Sequence, residues 1–166
     1  MEWYAIFVES GKEETVQKLL KLHFGESFVA IIPKRIIPEK RNGRFINVVK
    51  TLFPGYVLIR TKINNSIHAN VNSLPYIFRI LENKGTCVPL EPKEISILLK
   101  LLNGQDIIEL SKIDVNTNIK VISGPLFGLE GIIQKINKHT RRAKVFVNFA
   151  GRETLFDVGI EFLERV

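Results

Sequence analysis

The chain holds one cysteine, one methionine, one tryptophan and three histidines among 166 residues. The single Cys87 excludes an internal disulfide framework and a multi-thiolate zinc site, and it favours a reducing compartment. His23, His68 and His139 lie far apart, with no metal-ligand spacing to one another or to the cysteine. No apolar run reaches the roughly 20 residues of a membrane span. The opening "MEWYAIFVESGKEE" lacks a basic flank and turns acidic, unlike a secretory signal, so the expectation is a cytoplasmic chain with no membrane partner. "SGPLFGLEG" contains Gly124, Gly128 and Gly131, but no Lys-Ser/Thr pair follows to make a phosphate-cradling loop. With no nucleophile, base or metal constellation in sequence, the chain reads as a binding protein, with neither enzymatic activity nor cofactor expected.

What the chain does have is core-forming material and localised charge. Apolar residues make up 45% and charged residues 25%, enough for one packed domain or two small ones. The net charge is +7. Residues 33–50 carry Lys34, Arg35, Lys40, Arg41, Arg44 and Lys50 against Glu39, a net +5. Residues 135–144 carry Lys135, Lys138, Arg141, Arg142 and Lys144 with no acid, another +5, which leaves −3 for the remainder. Charge concentrated in two short segments is the electrostatic footprint of a polyanionic partner such as nucleic acid.

Hydrophobic periodicity supplies the elements. "EWYAIFVE" reads as a strand. Ser10 and Glu13 stand in capping-box spacing before Val16, Leu19, Leu20 and Phe24, which predicts an amphipathic helix over 11–25. His23 falls beside its apolar stripe and is expected to be partly buried. "RNGR" at 41–44 carries the Asn-Gly signal of a tight hairpin between "IIPEK" and "FINVV". "YVLIRT" and "YIFRIL" are further strands, with a short polar helix or loop between them at 64–74. Pro92 opens a helix that runs through Leu102. "NGQDIIELSKIDVNTN" reads as a linker. Five short strands follow, "IKVIS", "GIIQKI", "AKVFVNF", "ETLFDV" and "IEFL", the pattern of a small β-barrel. The first part alternates strand and helix, as in an α/β sandwich.

Three stretches then resemble one family in order and spacing: "EWYAIF" with its Gly-Lys-Glu-Glu helix, "FPGYVLI" at 53–59, and "SGPLFGLEGIIQKIN" followed by "KVFVNFAGRETLFDV". Across nearly the whole chain they resemble the NusG family of transcription elongation factors. The resemblance implies an α+β protein: an NGN-like α/β sandwich with an antiparallel sheet over 1–104, a linker at 105–116, and a five-stranded SH3-like KOW barrel over 117–166. It implies an NGN domain that docks on the clamp helices of RNA polymerase, with Phe7, Phe53, Pro54 and Tyr56 in the apolar docking site. His68, within "IHAN" at 67–70, stands where relatives present a polar helix tip to the polymerase.

The basic turn between two KOW strands favours a specialised role, most like a LoaP-type antiterminator recruited by a structured nascent RNA. Candidate RNA contacts are Lys135, Asn137, Lys138, His139, Arg141, Arg142, Lys144 and Arg152, because a projecting guanidinium pair engages phosphates in bidentate fashion. Lys40, Arg41 and Arg44 on the first basic hairpin stand where family members approach upstream or non-template DNA. The alternatives are a general elongation and pausing factor, with Rho or a small-subunit ribosomal protein as partners of the barrel, or a KOW-containing ribosomal or RNA-scaffold protein. The chain is expected to be monomeric.

Overall fold

The computed structural model describes residues 1–115 and 118–163. Positions 116 and 117, where the expected linker ends and the expected barrel begins, lie outside the described residues. In chain order the elements are β1 (Glu2–Val8), α1 (Glu13–Phe24), β2 (Val29–Ile31), β3 (Lys34–Arg41), β4 (Arg44–Thr51), β5 (Tyr56–Thr61) and α2 (Asn65–Asn72). Then come β6 (Ile77–Ile80), β7 (Glu82–Asn83), β8 (Thr86–Cys87), α3 (Pro92–Leu102), β9 (Ile107–Ile108) and β10 (Ser111–Asp114). The last four are β11 (Lys120–Ser123), β12 (Ile133–Asn137), β13 (Arg142–Phe149) and β14 (Arg152–Phe162). These elements fall into two units that interleave along the chain: Met1–Pro33 with Phe53–Ile95, and Lys34–Leu52 with Ser96–Val166.

The first unit is built on an antiparallel sheet in the order β2-β5-β1-β6. Tyr4, Ile6 and Val8 alternate along β1 and Val57 and Ile59 along β5, so one sheet face is apolar. Val16 and Leu20 of α1 and Val71 of α2 cover that face and are fully buried. Burial of each such side chain contributes about 1.5–3 kcal/mol. The expected capping box does not form. Lys12 is the N-cap residue without a side-chain cap, and Glu13 bonds elsewhere. His23 is exposed, not partly buried. Residues 64–74 do contain a helix, α2, capped by the Asn64 side chain, which accepts from the Ile67 N–H at 2.8 Å.

In the second unit a five-stranded sheet runs β11-β10-β14-β13-β12, with β10 parallel to β14 and every other pair antiparallel. Five strands were expected, but their membership differs. "ETLFDV" and "IEFL" are one continuous strand, β14, and the fifth strand is β10, drawn from the stretch that reads as a linker. Gly159, between those two stretches, is a strand residue at which another backbone approaches. A Cβ there would meet the Leu110 Cδ2 at 2.3 Å, the Ile36 carbonyl oxygen at 2.5 Å and the Pro38 Cδ at 2.9 Å.

The backbone that approaches belongs to the β3–β4 hairpin, paired in full register from Lys34↔Thr51 to Arg41↔Arg44. Its turn residues Asn42 and Gly43 have φ of 51° and 78°, the type I′ signature that the Asn-Gly pair predicts. β9 adds to β3 in parallel, forming a three-stranded sheet. Gly159→Ala is expected to destabilise the protein by about 1–3 kcal/mol through overpacking, read as a lower urea midpoint at unchanged slope.

Candidate functional site

The first unit carries an aromatic surface. Phe7 of β1 and Tyr56 of β5 are cross-strand partners. Their ring centroids stand 5.4 Å apart, edge to face. Phe78 of β6 joins from the other side, 5.3 Å from the Phe7 ring, and is 61% exposed. A register shift between Phe7 and Val8 lets β6 bring Phe78 there. Tyr76, half exposed, lies beneath the Lys12 ammonium at 5.2 Å. Phe78 and Tyr76 were missed by the sequence reading. Their one visible signal was a large aromatic on each side of the buried Ile77.

"FPGY" is a β-turn. The Tyr56 N–H donates to the Phe53 carbonyl at 3.1 Å, and Gly55 has φ of 86°, which a type II turn demands at its third position. Phe53 is buried while Pro54 is exposed at the tip. Glu13, itself buried, fixes this turn. Its Oε1 accepts from the Gly55 N–H at 2.8 Å and its Oε2 from the Gly11 N–H at 3.0 Å. The residue read as a capping-box partner therefore joins the start of α1 to the Pro-Gly turn. His68 on α2 is about one-third exposed, with its Nε2 3.2 Å from the Asn72 amide nitrogen and 3.6 Å from Glu82 Oε2.

The second unit gathers the basic residues unevenly. Along β12 and β13, Lys135 stands opposite Lys144 and Asn137 opposite Arg142, while Asp157 of β14 flanks Lys144. Together with Thr140 they line a depression of about 100 Å³. Lys138 and His139 are exposed on the adjoining turn, which Asn137 Oδ1 stabilises by accepting from the Thr140 N–H at 3.0 Å. Arg152 is not part of this cluster. It pairs with Phe149 at the far end of β13, about 23 Å along the strand from Arg142 at roughly 3.3 Å per residue.

Arg141 and Arg142 do not project as a free pair. Arg141 lays its guanidinium 4.0 Å from the Phe45 ring centroid on β4. Arg142 donates from Nη2 to the Pro38 carbonyl at 3.1 Å. Arg35 of β3 reaches the opposite way and donates from Nη1 to the Asp157 carbonyl. Burial holds the Arg35 pKa below its ordinary value, with the Asp157 charge opposing that shift. The Nε atoms of Arg35 and Arg142 are both buried without a partner. On the hairpin, Lys40, Arg41 and Arg44 are exposed, with Arg41 and Lys50 flanking Glu39. Those two cations hydrogen-bond to the Glu39 carboxylate and hold its pKa below the usual range, Lys50 contributing most.

The chain thus combines an antiparallel α/β unit bearing an exposed aromatic surface with a small basic β-sheet unit. A family model described as "Transcription termination factor nusG" matches residues 1–99. The chain is 27% identical over 173 residues to a "Transcription termination/antitermination protein NusG" of Staphylococcus epidermidis, covering 99% of this chain and 95% of the relative. It is 28% identical over 171 residues to the protein of that description from Bacillus subtilis, covering 98% and 96%. A solved structure described as "Domain interaction in Thermotoga maritima NusG" aligns with TM-score 0.57 and 26% identity over 95% of this chain and 93% of that one. The chain belongs to the NusG family.

Glu13→Ala is expected to cost about 1–3 kcal/mol in urea unfolding, because it orphans the Gly55 donor. Glu13→Gln should cost less, since an amide oxygen still accepts one of the two bonds.

Proposed function

We propose that this chain is a specialised transcription elongation and antitermination factor. It binds RNA polymerase through the aromatic face of its first unit and is recruited by a structured nascent RNA through the basic face of its second. The observation that carries the RNA reading is the cross-strand pair Lys135–Lys144, with Asn137 and Arg142 as the next pair along. Like charges directly opposite on a sheet destabilise it. A phosphate set between two ammonium groups relieves that cost and gains charge-assisted hydrogen bonds. Asn137 and His139 sit beside the charges and offer hydrogen bonds to unstacked bases, which is how single-stranded loops and bulges are read.

The polymerase reading rests on Phe7, Tyr56 and Phe78, rings packed against one another while one of them is largely exposed. Such aromatics are typical interface anchors. Pro54 borders them at the turn, and His68 belongs to the same surface in this reading. Lys40, Arg41 and Arg44 serve as phosphate contacts to DNA beside the polymerase.

A general elongation factor is the second reading. The Arg141–Phe45 and Arg142–Pro38 contacts favour it, since they occupy two guanidinium groups that RNA would otherwise use.

Two measurements test this proposal, and the first separates it from the second reading. For full-length protein and a structured RNA, neutralising about four phosphates gives a log–log salt slope of about −3, and Lys135→Ala and Lys144→Ala each flatten it by about one unit. Unchanged slopes in both variants overturn the RNA reading. For polymerase, Phe78→Ala or Tyr56→Ala is expected to weaken binding about 30-fold, the equivalent of ~2 kcal/mol. Lys135→Ala should leave that binding unchanged.

A further inference from the structure

In sequence His68, Glu82 and Cys87 make no ligand motif, yet the first unit folds them together. β7 and β8 form a two-residue hairpin in which Glu82 and Cys87 are direct partners. The turn between them is closed by Lys84 and Gly85 at φ of 51° and 79°. Directly opposite side chains on an antiparallel pair share one face, so the carboxylate and the thiol point the same way. α2 supplies His68 from one turn before Asn72. Its Nε2 lies 3.6 Å from Glu82 Oε2, and one ligand atom from each of the three residues falls within 4.8 Å of the others. His68 and Glu82 are each about one-third exposed, which leaves a path for a small ion.

All three groups are electron-pair donors. An imidazole nitrogen, a carboxylate oxygen and a sulfur make a mixed borderline-soft set of the kind Zn(II) accepts. Zinc bonds to such atoms measure roughly 2.0–2.3 Å, which sets tetrahedral ligand atoms about 3.4–3.8 Å apart. The His68–Glu82 spacing already fits, and the sulfur closes with side-chain movement of about 1 Å. We propose that His68 Nε2, Glu82 Oε2 and Cys87 Sγ form a zinc site with three protein ligands and a fourth position open to water. Binding exchanges metal-bound water for these donors, and the Cys87 thiol proton passes to solvent as the thiolate–zinc bond forms. The ion displaces the Asn72 amide NH₂, which otherwise stands 3.2 Å from the same imidazole nitrogen. Its consequence is to tie α2 to the β7–β8 hairpin.

The test titrates Co(II), as a visible probe for zinc, into the full-length protein. The expected result is a thiolate-to-cobalt charge-transfer band that saturates at one ion per chain and is bleached by added Zn(II). Cys87→Ser abolishes the band, and His68→Ala and Glu82→Gln each weaken Co(II) binding at least about 10-fold. Circular dichroism checks that each variant is folded, with Glu82→Gln the mildest of them. No band in the wild-type chain overturns the site. So does a band whose affinity is unchanged in both His68→Ala and Glu82→Gln, since that marks a lone thiol.

Discussion

The second unit depends on a close approach between two backbones. At Gly159 the Ile36 carbonyl and the Pro38 ring occupy space that any side chain would fill. Everything around that point follows from it. With β3 held this close to β14, Arg35 of β3 can reach the Asp157 carbonyl and Arg142 of β13 the Pro38 carbonyl, so each sheet sends a guanidinium to the backbone of the other. Phe45 then lies under Arg141. A side chain at Gly159 would disturb not one contact but the frame that orients three arginines. Lys135, Lys138 and Lys144 stay exposed, Lys135 and Lys144 lining one depression beside Arg142.

In the first unit the comparable constraint is a carboxylate. Glu13 satisfies the N–H of Gly55 and of Gly11 at once, fixing the start of α1 and the Pro-Gly turn. The turn in turn places Tyr56 at the head of β5, opposite Phe7, and Phe7 supports Phe78. A buried polar contact thus sets the position of an apolar surface. This division of labour suits an interface, because hydrogen bonds fix geometry while exposed rings supply area.

Much of this was legible in the sequence where local chemistry dictates structure. Runs of strand-forming residues marked β1 and β5, alternation marked β13, the Asn-Gly pair marked the β3–β4 turn, and Pro92 marked α3. What was not legible is non-local. β10 was hidden because "SKID" is short and finds its partner, β14, about fifty residues away in parallel register. The strand β14 was split in two at Gly159, and only the tertiary structure shows what faces that residue. Phe7, Phe53, Pro54 and Tyr56 were read from a resemblance, and Phe78 was not, since its exposure depends on a bulge in β6. The arginines show the same limit. Charge could be counted along the chain, but whether a guanidinium meets solvent, a carbonyl or a ring depends on the strand across from it.

That limit sharpens the electrostatic reading. The two segments that each carry a net +5 are far apart in sequence, yet both fall in the second unit, and Arg35, Arg141 and Arg142 join them. Bringing like charges within a Debye length of about 8 Å costs free energy. The fold offsets part of that cost internally, through Glu39 between Arg41 and Lys50, through carbonyls facing Arg35 and Arg142, and through the Phe45 ring. None of these devices serves the Lys135–Lys144 pair, where Asp157 is the one carboxylate lining the depression. A fold that disperses its charge in one place and leaves it concentrated in another fits the anionic partner proposed for the second. Arg35, Arg141 and Arg142 are spent on carbonyls and a ring within the unit, while Lys135 and Lys144 stay exposed.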